Sequence, residues 1–108
     1  MCIRDRCKVA LAHVPFVDIL TTILDDSLPL SIIEREEWGD PNLKELYDYI
    51  KSYSPYDNVQ SDRFPALFIT AGLNDPRVGY WEPAKWAAKI RSQPNLSLIH
   101  ISEPTRPY

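Results

Sequence analysis

Leu43, Leu46, Tyr47 and Ile50 stand at i, i+3, i+4 and i+7, one apolar stripe, while Lys44, Glu45, Asp48 and Lys51 face away from it. Asp40-Pro41 supplies a start signal, with Asp40 as N-cap and Pro41 at the first helical position. Ser54-Pro55 ends the helix, and Tyr56, Asp57 and Asn58 open a loop. A second stripe, Pro83, Trp86, Ala87 and Ile90, predicts a helix beginning near Glu82-Pro83, with Lys85, Lys89 and Arg91 on its solvated face. Residues 66–70 are apolar without alternation, which is the pattern of a strand buried on both faces of a parallel sheet. Residues 9–12 form a shorter apolar run halted at Pro15, consistent with another buried strand. Residues 17–24 fit a short helix or further extended chain, closed by the turn formers Asp25, Asp26, Ser27 and Pro29. A dense acidic and aromatic segment, Glu34 to Trp38, ends at Gly39. The order strand, helix, helix, strand, loop, helix predicts an α/β fold with a parallel sheet. In such sheets functional loops leave the carboxyl ends of strands, and the loop after residues 66–70 carries Asp75.

The two ends of the chain read differently from the middle. MCIRDR has no apolar core between its charges and resembles no signal peptide. It can be written ATG TGT ATA AGA GAC AG-, whose reverse complement, CTG TCT CTT ATA CAC AT-, encodes Leu-Ser-Leu-Ile-His-Ile. That hexapeptide is Leu96 to Ile101. The string resembles the transposon end of sequencing-library adaptors, and SEPTR resembles the primer segment that follows. Residues 1–6 and 96–108 are therefore expected to be adaptor-derived, leaving residues 7–95 as the native segment.

Composition narrows the chemistry. The 108 residues are 44 % hydrophobic and 25 % charged, in the range of a globular chain, and no apolar run is long enough to span a bilayer. The net charge is −3; without Arg4, Asp5, Arg6, Glu103 and Arg106 it is −4, which argues against nucleic acid or an anionic membrane as partner. Two cysteines make no disulfide framework, so the cytoplasm is the expected compartment. Residues 7–95 hold one Cys and one His, too few for a Cys/His metal site, and Asp25-Asp26 with Glu34–Glu37 fits no EF-hand loop. No metal and no cofactor is expected. Gly39, Gly72 and Gly79 are too scattered for a phosphate-binding loop or a G-x-S-x-G nucleophile elbow. Asn74-Asp75-Pro76 favours a turn unaided. His13 precedes a turn and reads as a packed strand-end residue rather than a base. The tyrosines and tryptophans read as core and interface aromatics.

The stretches HVPFVDILTTILDDSLPL, EREEWGDP, SYSPYDNV and FPALFITAGLNDPRVGYWEPAKWAAKIR resemble the oligopeptidase B branch of the prolyl oligopeptidase (S9) family of serine peptidases. The resemblance covers nearly all of residues 8–91. It implies a partial α/β-hydrolase fold, a parallel sheet with flanking helices, incomplete within this chain. It also implies a Ser…Asp…His triad in chain order, of which Asp75 in GLNDPRV is the only member present. The Ser would lie upstream and the His downstream, so the fragment itself is expected to be inactive. Glu34 and Glu36 match carboxylates that hold a basic P1 side chain, and two acceptors near one pocket suit the planar fork of a guanidinium. Arg77 aligns with a substrate-contacting arginine of prolyl oligopeptidase, although many oligopeptidase B sequences carry another residue there. The implied partners are short basic peptides and an N-terminal β-propeller domain. Two alternatives stay open: a family peptidase of different P1 specificity, and a small acidic interaction module without enzymatic activity.

Overall fold

The computed structural model describes residues 7–60 and 64–93, and the backbone of residues 99–102. The elements follow in the order β1 (Val9–His13), α1 (Ile19–Leu24), α2 (Ser31–Trp38), α3 (Lys44–Tyr53), β2 (Ala66–Thr70), α4 (Trp81–Arg91) and β3 (Ile99–Ser102). The chain divides into two compact units, residues 17–58 and the segments on either side of them.

The flanking unit is a parallel sheet in the order β1-β2-β3. Val9 pairs with Ala66 and His13 with Thr70, while Leu67 pairs with Ile99 and Thr70 with Ser102. The core lies on one face of this sheet. Leu67 and Ile69 of β2 pack with Ala87 and Ile90 of α4, and Ala10, Ala12, Phe64 and Trp86 close around them. The helical stripe anticipated for α4 is therefore the one that is buried, with Pro83 included. Pro83 falls at the third helical position rather than the first, where its missing N–H still costs no intrahelical bond. The expectation that β2 is buried on both faces is corrected: its burial alternates, and Phe68 is partly exposed. Leu67 and Ile69 point to the side that α4 covers, and Phe68 points to the other.

β3 falls within the C-terminal stretch expected to be adaptor-derived. Its pairing with β2 is parallel and made through the backbone. Residues 1–6, 96–98 and 103–108, the remainder of the two terminal expectations, lie outside the described residues.

In the unit of residues 17–58, α1 packs against α2 and α3. Asp18 caps α1, its carboxylate accepting the Thr21 N–H at 3.4 Å. Leu20 and Ile23 of α1 and Ile50 of α3 are buried. Ser54, also buried, follows α3, and Asn58 Nδ2 donates to the Lys51 and Ser54 carbonyls at 2.7 and 2.8 Å, which satisfies acceptors left over at the helix end. The Tyr56 N–H reaches the Val17 carbonyl at 2.8 Å and ties the two ends of this unit together.

Two local outcomes differ from the sequence pattern. The segment around Glu34 is a helix, α2, stopped by Gly39 at φ 102°, a conformation that a side chain rarely adopts. α3 begins at Lys44, so Asp40 is not its N-cap. Asp40 instead accepts the backbone and side-chain N–H groups of Asn42 at 2.9 and 2.8 Å, closing a turn of its own before the helix starts. The same device recurs at Asp25, which accepts the Ser27 hydroxyl and backbone N–H.

These hydrogen bonds favour the ionised carboxyls. The Asn42 N–H groups lower the pKa of Asp40, and the Ser27 hydroxyl and N–H lower that of Asp25, both from an ordinary 3.8. A carboxyl depressed in the folded state stabilises above its ordinary value and loses that contribution as pH falls through the folded value. The amide signals of Ser27 and Asn42, followed by NMR, should therefore titrate with midpoints below 3.8. Midpoints at or above it would contradict these turns.

Candidate active site

β1 and β2 run parallel, so their carboxyl ends share one edge of the sheet, where functional loops of α/β folds gather. At that edge His13 Nδ1 lies 2.9 Å from the Thr70 hydroxyl. The next residue, Val14, has φ 46° and donates its N–H to the Thr70 carbonyl at 2.8 Å. A β-branched residue in the left-handed region is strained by roughly 1–2 kcal/mol, which the Thr70 contact helps to offset. Sequence reasoning missed this strained step; Pro15 marks a break but does not reveal the sign of the φ before it.

The loop from β2 to α4 carries Asp75. Its backbone N–H donates to the Gly72 carbonyl at 3.3 Å, and its Oδ1 accepts the N–H groups of Arg77 and Val78 at 2.8 and 3.0 Å. One carboxylate oxygen thus holds the loop in shape, as the Asn-Asp-Pro turn signal led one to expect. The other, Oδ2, has no hydrogen-bond partner among the described residues. Asp75 is half-buried. It is a carboxylate fixed by its own loop, with one acceptor oxygen left for a donor from elsewhere. Arg77, on the same loop, is exposed, and its guanidinium makes no hydrogen bond or ion pair among the described residues.

Glu34 and Glu36 lie on α2, in the unit of residues 17–58. Two residues along a helix turn the side chain by about 200°, so the two carboxylates leave opposite flanks rather than one face. Glu34 is half-buried and Glu36 exposed. The structure gathers Asp75 and Arg77 on one loop and the two glutamates on one short helix. Among the described residues no group of three His, Cys, Asp or Glu side chains is placed to hold a metal ion. No helix among them is long and apolar enough to cross a membrane.

The sequence profile described as the Prolyl oligopeptidase family matches residues 3–105. The chain belongs to the prolyl oligopeptidase family. The matched span runs into both terminal stretches discussed above. Over 85 residues the chain is 59 % identical to "Protease 2" of Moraxella lacunata, and over 87 residues 53 % identical to "Dipeptidyl aminopeptidase BI" of Pseudoxanthomonas mexicana. Those alignments take in 79 % and 81 % of this chain, yet only 12 % of either relative. Among solved structures, oligopeptidase B from Leishmania major superposes with a TM-score of 0.91 at 48 % identity, over 97 % of this chain and 15 % of that one. Oligopeptidase B from Trypanosoma brucei with covalently bound antipain gives a TM-score of 0.91 at 50 % identity, over 96 % and 15 %. As a prolyl oligopeptidase family chain, it is related to serine peptidases, and its parallel sheet with flanking helices is a part of their α/β-hydrolase domain.

Proposed function

We propose that this chain is a segment of the catalytic domain of a serine oligopeptidase that cleaves short peptides after Arg or Lys, and that Asp75 is the carboxylate of its Ser-Asp-His triad. The division of labour at Asp75 carries the proposal. With Oδ1 holding the loop, Oδ2 can accept the Nδ1–H of a His from outside the chain. That bond fixes the imidazole tautomer and leaves Nε2 to take the proton of the serine hydroxyl. The serine oxygen then adds to the scissile carbonyl, and the imidazolium so formed is stabilised by Asp75. Collapse of the tetrahedral intermediate breaks the C–N bond, the imidazolium protonates the departing amine, and water hydrolyses the acyl-enzyme by the same route. A covalent adduct in the Trypanosoma brucei relative fits such a nucleophilic mechanism.

In this proposal Glu34 and Glu36 recognise the basic P1 side chain. Glu34, half-buried on α2, is taken as the principal acceptor, and Glu36, exposed on the opposite flank, as the lesser one. Arg77, exposed beside Asp75, is assigned to a substrate carbonyl. The intact enzyme would be cytoplasmic, with an N-terminal β-propeller domain restricting entry to short peptides. Residues 1–6 and 96–108 are assigned to translated adaptor on the strength of the reverse-complement relation between residues 1–6 and 96–101 and the primer-like SEPTR that follows, and coding DNA with other codons at either end would remove that assignment.

A second reading, release of dipeptides from a free N-terminus, is favoured by the 53 % identical Pseudoxanthomonas mexicana relative. The test is a panel of peptides on the full-length enzyme, with and without a blocked N-terminus and with Arg, Lys, Ala or Pro at P1. Cleavage of N-blocked Arg and Lys peptides far above the Ala and Pro peptides is expected. A requirement for a free N-terminus would favour the second reading, and a preference for Pro would overturn both.

A further inference from the structure

α1 has only six residues; at its C-terminal end the Asp25 N–H reaches the Thr22 carbonyl at 3.2 Å, and the carbonyls of the last turn leave acceptor capacity for donors from elsewhere. α2 supplies them. The buried Ser31 donates its hydroxyl to the Thr22 carbonyl at 2.8 Å. One helical turn later, Arg35 donates from Nε and from a terminal nitrogen to the Ile23 carbonyl, at 3.2 and 2.9 Å. The same terminal nitrogen meets the Asp26 carboxylate at 2.5 Å. Ser31 and Arg35, four residues apart, share one face of α2. Successive carbonyls at the end of α1 are thus held by successive turns of α2, and the Arg35 charge lies where a helix C-terminus favours a cation.

Two consequences follow for the neighbours of Arg35 in sequence, Glu34 and Glu36. The two tethers fix the rotation of α2 about its own axis, and with it the directions in which both glutamates leave the helix. The guanidinium, which otherwise stands between two carboxylates and could neutralise them, is committed instead to the Ile23 carbonyl and Asp26. We propose that Arg35 is a positioning residue for basic-P1 specificity: it orients α2 and keeps its own charge turned away from Glu34 and Glu36. The proposal rests on the assignment of those glutamates to the P1 side chain.

The test uses the full-length enzyme with an Arg ester and an ester of neutral P1. Arg35→Ala should raise KM for the Arg ester about tenfold, the worth of one well-placed hydrogen bond to a charged group, with kcat held and the neutral ester unaffected. Arg35→Lys should fall between wild type and Arg35→Ala, because an ammonium is a point charge without the guanidinium fork. Asp26→Ala should change KM less than about threefold, since the Asp26 side chain is 71 % exposed and such pairs contribute little. A lower KM in Arg35→Ala would mark the guanidinium as a competitor for the glutamates, and equal losses on both esters would mark a purely structural role; either overturns the proposal. Glu34→Gln with Glu36→Gln, measured in parallel, separates the two levels. If that pair abolishes Arg preference while Arg35→Ala leaves KM unchanged, only the role of Arg35 fails. If it leaves the preference intact, the assignment of the glutamates fails first.

Discussion

In the full-length enzyme, replacing Glu34 and Glu36 together by Gln should lower kcat/KM for Arg and Lys substrates by about 10²–10³-fold and leave a neutral-P1 substrate within a few-fold of wild type. The size follows from chemistry rather than contact area. A guanidinium or ammonium that leaves water for a pocket must recover its hydration there, and only a negative, hydrogen-bonding partner repays that cost. Gln keeps the shape and one acceptor oxygen but gives up the charge, so the loss measures electrostatic pairing. Glu34→Gln alone should account for more of it than Glu36→Gln, because Glu34 is half-buried and Glu36 exposed. A pair still favouring Arg and Lys would place P1 recognition on other residues.

A larger effect is expected at Asp75. Asp75→Asn should lower kcat by about 10⁴ with KM little changed, as the same substitution does at the orienting aspartate of the serine-protease template. Asn presents both a donor and an acceptor, so it can hold the imidazole in the wrong tautomer while the site looks intact. The loop itself should survive, because the Asn side-chain oxygen can still accept the Arg77 and Val78 N–H groups that Oδ1 now takes. Asp75→Ala removes both functions. It should cost similar activity and also loosen the turn between β2 and α4, seen as faster exchange of the Arg77 and Val78 amides. A loosened turn with full activity would assign Asp75 to structure alone.

Much of the framework was legible in the sequence because hydrophobic burial has a period. The apolar run at residues 66–70 became the central strand, although its lack of alternation misstated its burial, which alternates, and the stripe through Trp86, Ala87 and Ile90 became the buried face of α4. The catalytic-loop candidate was legible too, since Asn-Asp-Pro after a strand is a turn signal at the functional edge. The rest depended on polar contacts that carry no period. α2 shows no apolar stripe: Ile32 and Ile33 are exposed, and the helix is held to α1 by Ser31 and Arg35 instead. Asp40 has the residue type of an N-cap, yet its carboxylate closed on Asn42, two residues ahead, and the helix began later. The split between the two oxygens of Asp75 follows from the backbone path through Val78, which residue types alone do not specify. Glu34 and Glu36 looked like neighbours in sequence, and only the helix revealed that they diverge.

The orienting role of Asp75 is tested most directly by the rate of acyl-enzyme formation, followed by stopped flow with an Arg ester on the full-length enzyme and its Asp75→Asn variant. That rate should fall by the same factor as kcat, about 10⁴, because the imidazole takes the serine proton in this step. An acylation rate within twofold of wild type would show that the His is oriented without Asp75, and would contradict the assignment.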